Sequence, residues 1–364
     1  MPVLLNPKYP DPERRSGLNW PRVPLGALEK PRDAFLHIGL VNNMADAAMR
    51  GTELQFLRLL EAAAGDLQVH VTLYALPEVE RSPSGRRRVG SFYSGIEQLW
   101  ERSPEQSPDG LIVTGREPLT PDLREEVYWP SFERVLAWTQ EHARSAVWSC
   151  LAAHAAVLAL DRIERVRSPH KQFGIFTCEQ IAPHPLLAGA PACLCFPHSR
   201  WNGVSAGQLA AKRYQVLTRT RDGGVDTFVK QDAGLYVFFQ GHPEYESETL
   251  MGEYRRDIGR YLRGELETYP SLPLDYFAEE TERSLREIEA EARASRRETL
   301  LGEVSEVLNS VRIRNAWHST AVIIYRNWLE HLCTQKRYGG KLKASHLEEQ
   351  RHDRRNANHP IAAR

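Results

Sequence analysis

Apolar positions along the chain fall into short runs separated by polar stretches. Phe35–Val41 (FLHIGLV) is apolar except for His37 and stops at Asn42-Asn43, the pattern of a strand buried on both faces. Thr52–Ala63 then carries Leu54, Phe56, Leu57, Leu59 and Leu60 on or near one helical face, with Thr52 as a candidate N-cap. Val69–Ala75 alternates as a second strand. Leu111–Val113, entered through Pro-Asp-Gly, is a third and ends at Thr114-Gly115. An amphipathic helix over Trp129–His142 leads to a fourth short strand, Ala146–Ser149, and to an Ala-rich helix, Leu151–Leu160. Further strands are predicted at Gln172–Thr177, Tyr214–Thr218, Thr227–Gln231 and Leu235–Gln240, with Gly223-Gly224 as a hairpin turn. Strand and helix alternate down to about residue 262, which predicts an α/β fold: an open, mostly parallel sheet with helices on both faces.

The flanks depart from this alternation. Residues 1–32, rich in Pro, Arg and Asn, read as an irregular N-terminal arm, and 33–277 as the α/β domain. Within that domain Pro77–Gly90, with three consecutive Arg, reads as a loop. Glu279–Glu298 is mostly Glu, Arg and Ala, so a charged insert over 278–311 is expected to be a solvated helix or a mobile linker. Residues 312–335 return to an amphipathic helix over Thr320–Leu332 that packs on the core. The tail, 336–364, carries eight Lys/Arg against three acids and reads as disordered.

Charge and cysteine usage narrow the function. Lys+Arg and Asp+Glu are both 47, so the net charge is zero and bulk charge does not hold nucleic acid. No run is long and apolar enough for a spanning helix, and Met1–Pro10 lacks a signal core, so no membrane partner is expected. Five scattered cysteines argue against a disulfide framework and for a reducing, cytoplasmic setting. Cys193 and Cys195 form a C-x-C pair with no second ligand pair at metal spacing, so no metal and no cofactor are expected. Neither a G-x-G-x-x-G nor a Walker motif is present.

The sharpest chemical feature is Cys150, set between the strand Ala146–Ser149 and the small-residue helix that follows. A side chain at such a turn stands at the carboxyl end of the sheet, and a helix N-terminus favours thiolate. A buried structural cysteine is the alternative. The second feature is Gly241-His242-Pro243-Glu244, directly after Leu235–Gln240. A thiol needs a base and an imidazole needs an orienting carboxylate, and His242 with Glu244 supplies both. Gly115 ends another strand, so its N–H and that of Leu151 are candidates for an oxyanion hole; a plain turn glycine is the alternative.

Taken in order, these segments resemble the homoserine O-succinyltransferases of methionine biosynthesis, a family that includes O-acetylating members and shares a class I glutamine amidotransferase-like fold. The resemblance runs from about Leu36 to Phe277 and resumes near Asn315–Gln335. It rests on Val41–Leu60, on Asp109–Gly115 (DGLIVTG), on Tyr128-Trp129, on Phe196–Trp201 (FPHSRW), on Gly241–Tyr245 (GHPEY), on Glu253–Asp257 (EYRRD) and, loosely, on Trp317–Trp328. It implies an acyl-accepting Cys150, a catalytic pair of His242 and Glu244, Arg256 on the substrate carboxylate, Lys171 near the acyl-CoA, and Ser199 at the substrate site. The implied reaction passes an acyl group from succinyl-CoA or acetyl-CoA through a cysteine thioester to the hydroxyl of homoserine, and a homodimer is left open. Asn42–Asp46 replaces the family's Asn-Leu-Met-Pro-Lys, and Arg116–Leu119 replaces its Ala-Pro loop, so serine stays open as acceptor. A cysteine hydrolase or amidotransferase on the same residues, and a non-catalytic member acting through its tail, are the competing readings.

Overall fold

The computed structural model describes residues 3–5, 35–101 and 107–357, with side chains described as far as Arg337. Strands β1 (Val3–Leu5) and β2 (Leu36–Val41) lead into helix α1 (Asp46–Ala64) and β3 (Val69–Ala75). A short helix α2 (Pro83–Phe92), β4 (Ser94–Gly95) and α3 (Glu97–Glu101) precede β5 (Gly110–Thr114). Then come α4 (Trp129–His142), β6 (Ser145–Ser149), α5 (Leu151–Asp161) and the long ribbon β7 (Val166–Gln180) and β8 (Cys193–Gly203). After α6 (Ala206–Ala211) follow β9 (Gln215–Val216), β10 (Thr218–Thr220), β11 (Thr227–Gln231) and β12 (Leu235–Phe239). Helices α7 (Thr249–Leu262), α8 (Glu279–Ala294), α9 (Leu300–Ser310) and α10 (His318–Ala357) complete the chain.

The main sheet runs β1-β3-β2-β5-β6-β12-β11-β9, with β4 beside β3. Pairing is parallel from β1 through β12, and β11 alone turns antiparallel to both of its neighbours. The central strands are buried along their whole length, as their unbroken apolar runs require when helices cover both faces. One face packs on α1, α7, α8, α9 and α10 and the other on α4 and α5, so the open parallel sheet expected from the alternation is the observed architecture. A second, three-stranded sheet, β10-β7-β8, stands beside it.

Several expectations need correction. Val3–Leu5 belongs to the sheet through parallel pairing with Val69–Val71, whereas the rest of the arm lies outside the described residues. Helix α1 starts at Asp46, not at Thr52, because the Asp46 carboxylate at the helix start accepts from Ser82 N–H at 2.7 Å and Arg81 Nη1 at 3.2 Å. Pro77–Gly90 is not all loop. Ser82 caps α2 by accepting from Gly85 N–H at 3.1 Å, with Pro83 in the first helical turn. The strand expected over Tyr214–Thr218 divides at Leu217 between the two sheets. The 278–311 segment is two packed helices: Leu285, Ile288 and Ala292 on α8, and Leu300, Val304 and Leu308 on α9, form buried stripes. The backbone beyond Lys336 continues α10 to Ala357, and 358–364 lie outside the described residues. No helix among the described residues is long and apolar enough to cross a membrane.

Candidate active site

Three neighbouring parallel strands end together. Ser149 on β6 lies opposite Thr114 on β5 and opposite Phe239 on β12, so Gly115, Cys150 and the Gln240–Glu244 turn leave the sheet side by side. They open into one cleft of about 1120 Å³. Gly115, Cys150, Leu151, Lys171, Ser199, His242, Glu244 and Arg256 all line it, so every sequence-predicted site residue converges there.

Cys150 takes φ 52°, ψ −112° at the N-cap of α5, a left-handed conformation that non-glycine residues rarely adopt. Its N–H is fixed by the Phe239 carbonyl at 2.8 Å, and the half-buried side chain faces the cleft. The buried-structural alternative for this thiol therefore fails. Gly115 packs so tightly on the start of α5 that a Cβ there would lie 2.4 Å from Leu151 Cβ and 2.8 Å from Ala152 N. Residue 115 is consequently held against the first turn of α5, where backbone N–H groups have no intrahelical partner.

His242 Nδ1 lies 2.8 Å from Glu244 Oε1, which leaves Nε2 as the nitrogen facing the thiol; the imidazole also hydrogen-bonds the Cys150 side chain. Ser149 Oγ donates to the same Glu244 oxygen at 3.2 Å. The imidazole stacks on the Tyr245 ring at 4.0 Å, and its backbone N–H donates to the Pro197 carbonyl at 2.8 Å. Burial disfavours the charged imidazole, but the negative charges of Cys150 and Glu244 and hydrogen bonds to both outweigh it, and the His242 pKa is held well above its ordinary value. The turn itself rests on a buried His198–Asp226 pair at 3.1 Å, and a Cβ on Gly241 would lie 2.8 Å from His198 Nε2. Cys178 joins that pair within 4.8 Å, while His198 Nδ1 accepts from Arg200 and Asp226 Oδ2 accepts from Thr218 and Thr227.

The sequence profile of the homoserine O-succinyltransferase family matches residues 29–338. A homoserine O-succinyltransferase from Rhodopseudomonas palustris is 45% identical over 300 residues, covering 82% of this chain and 89% of its own. One from Bradyrhizobium japonicum is 42% identical over 312 residues, covering 85% and 94%. The chain belongs to the homoserine O-succinyltransferase family. Among solved structures, a glutamine amidotransferase from Thermotoga maritima superposes with a TM-score of 0.45 at 12% identity, over 82% of this chain and 98% of that one.

In this family member the cleft also contains acids that sequence reasoning passed over. Asp257 accepts from Arg256 Nε at 2.8 Å and pairs with Lys171 Nζ at 3.2 Å, so it fixes two predicted substrate-binding cations at once. Glu253 accepts from Ser199 Oγ at 2.5 Å and Tyr245 Oη at 2.6 Å, which ties the ring stacked on His242 to β8. A signal existed: Glu253, Arg256, Asp257 and Arg260 are spaced three and four apart, one face of α7.

Proposed function

We propose that the protein transfers a succinyl group from succinyl-CoA to the hydroxyl of homoserine through a thioester on Cys150. The observation that carries the reading is the Glu244–His242–Cys150 hydrogen-bonded series at the end of adjacent strands, in a chain of this family. The Cys150 sulfur attacks the thioester carbon, and the carbonyl electron pair moves to oxygen. The oxyanion meets the N–H groups of Gly115 and Leu151, and its collapse expels the CoA thiolate, which takes a proton from His242. His242 Nε2 then removes the hydroxyl proton of homoserine as that oxygen attacks the acyl carbon, and Cys150 leaves as thiolate. Glu244 holds the ring orientation and offsets the imidazolium charge throughout.

Arg256, with half of its side chain exposed to the cleft, is assigned to the homoserine carboxylate, Lys171 to the acyl-CoA side, and Ser199 to the substrate wall. Acyl-CoA serves as co-substrate, with no further cofactor. All five cysteines are free, which supports a cytoplasmic setting. The test is steady-state formation of O-succinylhomoserine. Replacing Cys150 by Ala is expected to abolish turnover, and replacing His242 by Ala to lower kcat by about 10²–10⁴-fold. Full turnover by the Cys150→Ala protein would refute the reading.

A further inference from the structure

Gln240 stands between Phe239, whose carbonyl holds the Cys150 N–H, and the Gly241–Glu244 turn that carries the imidazole. Its side chain is fully buried. The amide nitrogen donates to the Val225 carbonyl at 2.6 Å, and the backbone N–H donates to the Asp226 carbonyl at 3.0 Å, so both grip the approach to β11. With the amide nitrogen used in this way, Oε1 is left as an acceptor, and it lies 2.9 Å from His154 Nε2. His154 is buried on α5, one turn beyond Cys150, and its own N–H reaches the Cys150 carbonyl at 3.4 Å.

The direction of the Gln240–His154 bond follows from its partners. An amide oxygen only accepts, so His154 Nε2 carries the proton. Nδ1 then holds the lone pair, and it is buried without a hydrogen-bond partner. Burial pushes the His154 pKa down to about 4; the bond to Gln240 opposes that shift, and the charges of Arg200 and Arg165 add to it. The ring is therefore neutral and a poor proton acceptor at neutral pH. Its use is as a fixed donor.

The Phe239 carbonyl ties the start of α5 at one point, about which a helix can still pivot. The His154 bond ties it at a second point one turn on, which sets its direction. The strained backbone of Cys150, at φ 52°, persists only where the surroundings over-determine it. One buried amide thus holds the helix that follows the thiol and lies two residues before the imidazole. We propose that Gln240, bonded to His154, is a positioning residue that sets the Cys150 sulfur against the His242 imidazole. The inference rests on the acyl-transfer reading above and adds the pair that aligns its two reacting groups.

The test is steady-state kinetics of the full-length protein with succinyl-CoA and homoserine each varied, at a temperature well below the unfolding midpoint of every variant. Gln240→Met and His154→Met are each expected to lower kcat by about 30-fold, with both KM values within about 3-fold of wild type. The double variant is expected to fall no more than about 3-fold below the slower single one, because both substitutions remove the same bond. His154→Gln, whose terminal N–H can stand where Nε2–H stood, is expected to keep kcat within about 5-fold of wild type. Wild-type kcat in either Met variant, losses confined to KM, losses that multiply in the double variant, or a His154→Gln protein no faster than His154→Met would each overturn the inference. If Gln240→Met does not fold, the His154→Met and His154→Gln pair decides. A wild-type protein that forms no O-succinylhomoserine would overturn the acyl-transfer reading itself, whereas an active wild type with unaffected variants overturns only the positioning role.

Discussion

At the scale of single residues the proposed chemistry rests on the charge state of His242. Burial works against the imidazolium, and the charges of Cys150 and Glu244 work for it and prevail. With a native pKa raised above about 6.5, the value of a free imidazole, the stabilisation from this pairing is complete below that pH and fades as pH climbs through the native value. NMR titration of the His242 ring is therefore expected to show a midpoint above that of free imidazole, and Glu244→Gln is expected to move it down. A midpoint unchanged by that substitution would show that Glu244 does not set the charge. Cys150, His242 and Glu244 were legible in the sequence because each sits next to a strand end marked by small or stiff residues. Asp257 and Glu253 were not, because in a charge-rich helix an acid reads as solvated until its partners, Lys171 and Ser199, arrive from a distant ribbon.

At the scale of elements, the site depends on three strand ends held in register and on the close seating of Gly115 against α5. A Cβ at residue 115 would meet backbone, which cannot rotate away. Gly115→Ala is expected to lower kcat/KM by about tenfold or more and to cost about 1–3 kcal/mol, read by steady-state assay and denaturant unfolding. A variant with wild-type kinetics would show that the Gly115 N–H has no part in the oxyanion hole. The elements that alternation reveals, β2, β3, β5 and β6 with α4 and α5, were readable because each buries a continuous face. The misreadings came where the deciding interaction is not apolar. Helix α2 is fixed by the Ser82 cap in an Arg-rich stretch, and α8 and α9 bury one residue per turn, so composition alone looks solvated. The break at Leu217 is set by a change of sheet partner, which no local pattern records.

At the scale of the whole molecule, the C-terminal segment is part of the catalytic body. Trp317 Nε1 donates to the Tyr245 carbonyl at 2.7 Å, directly behind the ring that stacks on His242. Trp328 is buried against the sheet and donates to Ser145 Oγ at 2.9 Å. Trp328→Ala would leave a large cavity under β6, the strand that ends at Cys150, and is expected to cost about 3–5 kcal/mol in equilibrium unfolding. Loss of less than about 1 kcal/mol would show that α10 is an appendage rather than a support. The amphipathic reading of Thr320–Leu332 foresaw this packing, but the tie from Trp317 to Tyr245 needs the fold, since it joins residues more than seventy positions apart.

The account turns on a covalent intermediate, and the most direct test is peptide mass spectrometry of the protein mixed with succinyl-CoA and no acceptor. One succinyl group is expected on Cys150, absent from Cys150→Ser and discharged as O-succinylhomoserine when homoserine is added. An active enzyme whose Cys150 stays unmodified, or whose succinyl group sits on another residue, would contradict it.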